Sequence, residues 1–124
     1  MPSAMFDFER LTVFNRAVEA VIAIDEVART LPRGRAYIRD QLHRAANSMP
    51  LNIAEGSGEF TALEKARFYR IAKRSATECA GQLLVLNRLG VLTDERVGRP
   101  LELLSEVVSM LVEMVKRRRG PVGS

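Results

Sequence analysis

The chain has 124 residues, a formal charge of +4 at pH 7 and a sequence pI near 9.8. Hydrophobic residues make up 47%, which excludes a disordered chain, and no run of 18 apolar residues is present to span a membrane. Cys79 is the single cysteine, so no intrachain disulfide is possible, which fits a reducing, cytoplasmic setting.

A length of this size is read as one domain over 1–124, with an ordered core at about 8–117 and frayed termini. Trp is absent, so the core must come mainly from Leu, Val, Ile, Ala and Met. The first helix is expected from Phe8 or Thr12 to Arg29. Leu11, Phe14, Val18, Val21 and Ala28 recur at three- and four-residue spacing, and Val13, Ala17, Ala20, Ile24 and Val27 form a second stripe beside them. Pro32 and Gly34 stop it. A second helix follows from Arg35 to Ala54, with Ile38, Leu42, Ala45, Ala46, Met49 and Ile53 on its apolar face. Pro50 lies inside that pattern. It removes a backbone donor and crowds the Ala46 carbonyl, so a kink is expected there.

Thr61 and Glu64 have the spacing of a capping box and open the third helix. Phe68, Ala72, Ser75, Cys79, Leu83 and Leu86 form its stripe, and Leu89-Gly90-Val91 reads as a glycine C-cap. The fourth helix starts at Thr93 and bends at Pro100, or begins in earnest with Pro100 at its first position. Leu101, Leu104, Val108, Leu111 and Val115 make one stripe; Leu103, Val107, Met110 and Met114 make another. Four amphipathic helices with short connections predict an all-α, antiparallel, up-and-down four-helix bundle. The surplus apolar stripes of the first and last helices predict burial between subunits.

No arrangement for catalysis is legible, and a non-enzymatic protein without cofactor or metal is expected. His43 is the single histidine and has no partners for a tetrahedral site. Cys79 falls on an apolar stripe, where no sequence neighbour lowers its pKa. Gly56-Ser57-Gly58 lacks the Lys and Ser/Thr of a P-loop. The segment Ser48-Met49-Pro50-Leu51-Asn52 has two readings: local hydrogen bonding by Ser48 or Asn52 that compensates the proline, or a ligand site at the kink. Glu55 is expected to pair with a basic residue of a neighbouring helix.

The basic residues are the remaining signal. Sixteen are Arg and three are Lys, a bias that suits phosphate but also follows from a GC-rich genome. Arg67, Arg70 and Arg74 share one helical face, with Lys73 beside them, and Arg35, Arg39 and His43 form a row on the second helix. If the two helices are neighbours, the rows merge into a surface for phosphate backbones. The competing reading is a solvated face compensated by Asp40, Glu64 and Glu78. Apart from Tyr37 and Tyr69 no aromatic residues interleave these rows in a stacking pattern, so base-specific readout is not expected.

The stretch Arg44-Ala-Ala-Asn-Ser-Met-Pro-Leu-Asn-Ile-Ala-Glu-Gly56 resembles the R-R-A-A-x-S-I-P-x-N-I-A-E-G signature of the four-helix bundle family encoded within intervening sequences of bacterial 23S ribosomal RNA genes. Ser48, Pro50, Asn52, Ile53, Ala54, Glu55 and Gly56 match, and Met49 replaces Ile. Glu64 to Glu78 is similar to the family's next helix, with Arg74 where Gly is usual, and Leu89-Gly90-Val91-Leu92 matches its L-G-Y-L. Pro100 departs from the pattern. The resemblance spans about residues 8–116. It implies the bundle, a ring-like homopentamer, and kinship with accessory proteins of diversity-generating retroelements that bind nucleic acid and a reverse transcriptase. The expected partners are therefore copies of the chain, DNA or RNA, and a protein such as a reverse transcriptase. A structural or adaptor scaffold for another protein is the second hypothesis.

Overall fold

The computed structural model describes residues 6–119. The loose lead-in expected at the N-terminus and the fraying expected at 120–124 fall largely or wholly outside that range. A short 3-10 turn at Asp7–Arg10 leads into α1 (Thr12–Ala28), followed by α2 (Ala36–Ser57), α3 (Ala62–Arg88) and α4 (Asp94–Arg119). Each helix packs on its neighbours in sequence and α4 returns to α1, so the four form a closed up-and-down bundle.

In α1 the second of the two apolar stripes enters the core, joined only by Ala28 of the first. Val13, Ala17, Ala20, Ile24 and Val27 are buried, whereas Leu11, Phe14, Val18 and Val21 are half-buried. In α4 the core takes from both stripes: Leu103, Leu104, Val107 and Leu111 are buried, and Leu101, Val108, Met110 and Met114 are left half-buried. Tyr69 of α3, 1% exposed, is the largest side chain of the core. Its sequence neighbour Phe68, expected there, is half-buried.

The prolines end neither helix. α2 runs through Pro50 and three residues past its expected end at Ala54, and α4 is one helix from Asp94 with Pro100 buried inside it. A proline at an interior position costs its own hydrogen bond, but burial of an apolar ring on the core side offsets part of that loss.

Each connection is closed by a polar side chain aimed at orphan backbone groups, which every helix end must satisfy. Arg39 donates from Nε to the Ala28 carbonyl (3.1 Å) and from Nη2 to that of Leu31 (2.8 Å), tying α2 to the end of α1. Lys65 donates to the Ser57 carbonyl at 2.8 Å, tying α3 to the end of α2. Asn87 donates to the Leu92 carbonyl (3.0 Å) and to Asp94 (2.8 Å) across the last turn. At the end of α3, Gly90 has φ +78°. The Val91 amide bonds the Leu86 carbonyl and the Gly90 amide that of Asn87, both at 2.9 Å. This is a Schellman motif, and its left-handed residue favours glycine. Only half of the expected capping box forms at α3. The Glu64 amide donates to the Thr61 hydroxyl at 3.1 Å, while the Glu64 carboxylate turns to Arg67 at 3.6 Å.

Candidate nucleic-acid interface

The α2–α3 pair carries the proline motif on its inner side. Asn52 Nδ2 donates to the Ser48 carbonyl (2.8 Å) and to the Ser48 hydroxyl (3.0 Å). The Ser48 and Ser75 hydroxyls are hydrogen-bonded at 2.9 Å, and Ser75 Oγ lies 3.1 Å from the Ile71 carbonyl. With one proton each, Ser75 donates to Ile71 and Ser48 donates to Ser75. The result is a satisfied chain from Asn52 to α3. The side chain of Asn52 reaches Ser48 and not the Ala46 carbonyl that Pro50 leaves open, so the motif acts as an interhelix clamp. Gly56 serves the same contact. An added Cβ there would meet Tyr69 Cε1 at 2.7 Å and Phe68 Cβ at 3.0 Å. Glu55 is exposed and makes no ion pair with a described residue.

The outer side of α3 carries the basic row. Arg67, Arg70, Lys73 and Arg74 are all exposed. Arg67 is half compensated: it reaches Glu64 and lies over the Phe68 ring, 5.6 Å from its centre. Arg70, Lys73 and Arg74 form no ion pair with any described carboxylate, and with Thr77 and Glu78 they line a shallow depression. Some basic side chains elsewhere are matched, whereas Arg10, Arg33, Arg44, Arg88 and Arg96 likewise form no ion pair with a described residue. Arg16 lies 2.9 Å from both Glu19 and Glu106 of α4, and its hydrogen bond to Glu19 and then the Glu106 charge raise its pKa above the usual value. Arg29 lies 2.9 Å from Asp25. Of the carboxylates expected to compensate the rows, Glu64 pairs, whereas Asp40 and Glu78 form no ion pair with a described residue.

The row on α2 does not join this one. The Ser48–Ser75 contact sets the antiparallel register, so levelled positions on α2 and α3 sum to 123. Arg39 is then level with position 84 and Arg35 with position 88. At 1.5 Å per residue, Arg39 sits about 15 Å along the axis from Arg74. Its guanidinium is also spent on the end of α1. Arg35 is half-buried at the start of α2 and lies level with Arg88. The sequence reasoning missed Arg44. It is exposed on α2 and borders a polar depression with Gln41, Ser48, Ser75 and Glu78, next to the α3 row. Its register, level with Cys79, shows it only once the pairing of the helices is known.

Tyr69 faces the core and is removed from the stacking candidates, while Tyr37 is 67% exposed. Cys79 is buried, and desolvation first, then the Glu78 charge, pushes its thiol up to about 12. His43 Nε2 lies 3.3 Å from Asp25 on α1. Among the described residues no three His, Cys, Asp or Glu side chains are grouped to hold a metal ion, and no helix is long and apolar enough to cross a membrane.

The family model for the 23S rRNA-intervening sequence protein matches residues 9–113. The chain belongs to that family. Its fold is shared by a solved structure from Bacteroides thetaiotaomicron, a protein with unknown function from the S23 ribosomal protein family. The two superpose with a TM-score of 0.78 at 20% identity, over 85% of this chain and 99% of the other. No curated protein matches the sequence. Membership fixes the helical architecture and leaves the activity to be argued from the surface.

Proposed function

We infer that this family member is a non-enzymatic, oligomeric bundle that binds nucleic acid through the α3 face, with Arg70, Lys73, Arg74 and Arg44 on phosphates. The observation that carries the reading is the set of three exposed cations on one face of α3 without a carboxylate partner among the described residues. A cation left uncompensated at a surface is free to release counterions from a phosphate backbone, and that term is independent of sequence. Arg39, included on sequence grounds, is spent on the α1–α2 junction, and Arg35 lies half-buried at the start of α2 away from the α3 row, so both contribute little to binding.

A ring of copies, as family kinship suggests, would repeat the basic face and raise its potential. The half-buried layer of Leu11, Phe14, Met110 and Met114 along α1 and α4, with a groove between those helices, supplies an apolar surface for a second copy. The retroelement accessory role, with a reverse transcriptase as protein partner, belongs to the same reading. Titration of fluorescent duplex DNA and structured RNA at rising salt tests it. Binding that weakens steeply with salt supports it; absence of binding at low salt overturns it. The scaffold reading draws on the exposed Tyr37, Val85 and Leu89. A protein captured equally well from nuclease-treated extract would favour the scaffold over the nucleic-acid reading.

A further inference from the structure

Three depressions lie next to one another on the outer face of α3 and along its seam with α2, sharing lining residues. The basic one (Arg70, Lys73, Arg74, Thr77, Glu78) shares Glu78 with the polar one beside Arg44, and that one shares Gln41 and Glu78 with an apolar one near the start of α2. The last is walled by Tyr37, Ile38, Gly81, Gln82, Val85 and Leu86. Tyr37 is 67% exposed and Val85 59%, so an aromatic ring and an apolar wall face water beside a charged groove. Gln82 Oε1 is buried in that wall and has no hydrogen-bond partner. Gly81 leaves open space where any side chain would narrow the groove.

We propose that these adjoining depressions together bind a single-stranded nucleic-acid segment, its phosphates on Arg70, Lys73, Arg74 and Arg44 and one base stacked on Tyr37. The proposal rests on the nucleic-acid reading above and adds the class of strand. From the helix register, Tyr37 lies about 10 Å beyond Arg44 and about 18 Å beyond Arg74, a span of several nucleotides. Base stacking on an aromatic ring is tolerant of sequence and needs an unpaired base, which a duplex does not offer. The Glu78 carboxylate, central to the groove, repels a phosphate at that point. It therefore turns the strand's base edges toward the seam.

Anisotropy titrations of the full chain with three labelled probes test this: a short single strand with bases, the same sugar-phosphate strand without bases, and a duplex. The base-bearing single strand should bind about tenfold tighter than the abasic one. Tyr37→Ala should remove that preference while leaving the abasic affinity unchanged, and Glu78→Gln should tighten both single strands. Tyr37 is mostly exposed, and circular dichroism verifies that the variant folds. Equal affinity for base-bearing and abasic strands, tighter binding of the duplex, or an unchanged preference in Tyr37→Ala overturns the groove while leaving phosphate binding intact. No binding of any probe at low salt overturns both readings.

Discussion

Replacing Gly56 by alanine adds one methyl group where the end of α2 leans on α3. In an open helix the change is favourable, because alanine gains up to about 1 kcal/mol in helix propensity over glycine. Here the new Cβ would stand 2.7 Å from Tyr69 Cε1 and 3.0 Å from both Tyr69 Cδ1 and Phe68 Cβ. Tyr69 is 1% exposed and held on all sides, so its ring cannot swing away without disturbing the core. Overpacking of this kind costs about 1–3 kcal/mol, and it outweighs the propensity gain near a helix end. The expected net loss is about 1–2 kcal/mol, or roughly 4–8 °C in Tm for a domain of this size. Gly81→Ala is the internal control. It sits mid-helix in α3 with nothing within 4 Å of an added Cβ, so it should stabilise by about 0.5–1 kcal/mol. Thermal unfolding followed by far-UV circular dichroism reads both. Two alanine substitutions that shift Tm in the same direction would refute the argument that α2–α3 closeness sets the identity of residue 56.

Three further outcomes are expected of this bundle. Arg39→Gln should lower stability by about 1 kcal/mol through loss of its bonds to Ala28 and Leu31, while its nucleic-acid affinity stays near wild type; a large binding loss would return Arg39 to the interface. Ser75→Ala and Ser48→Ala should each cost about 1 kcal/mol, with the double variant costing clearly less than their sum, because both cut one chain of bonds; additive losses in denaturant titrations would deny the clamp. Cys79, raised from 9.0 to about 12 with desolvation as the first cause, should stay unreactive to a thiol reagent in the folded protein and react fast in denaturant. Its neutral form is favoured on folding, so the stability this contributes is complete below pH 9 and is lost as pH rises toward 12. Cys79→Ala should show a flatter alkaline stability profile, and an identical profile would count against burial of the thiol.

The helices and their caps were legible because they obey local rules. Thr61 as N-cap, Gly90 as C-cap and the apolar face of α2 follow from residue type and spacing, and the Glu64 amide bond to Thr61 and the positive φ of Gly90 bear out both caps. The choice between the two stripes of α1 was not legible. Both have helical periodicity, and only the positions of α2 and α4 decide that Ala17 and Ala20 face inward. Phe68 and Tyr69 show the same ambiguity, since both fit the stripe within one residue. The basic face was read in part. Arg70, Lys73 and Arg74 share a side by helical geometry alone. Whether the α2 row joins them depends on the register set by Ser48 and Ser75, which has no sequence signal. Nor has the recruitment of Arg39 to the end of α1, a contact between residues eight and eleven apart in the chain. The resemblance around Ser48 to Gly56 identified the family correctly, and in the structure Ser48, Asn52 and Gly56 hold α2 against α3.

The salt dependence of single-strand affinity in the Arg70→Gln, Lys73→Gln, Arg74→Gln triple variant tests the central claim most directly. Three phosphate contacts per chain correspond to a change of about 2 in the slope of log affinity against log salt. The account predicts a slope shallower by that amount, with an unchanged thermal unfolding curve. A slope equal to that of the unaltered protein would contradict it.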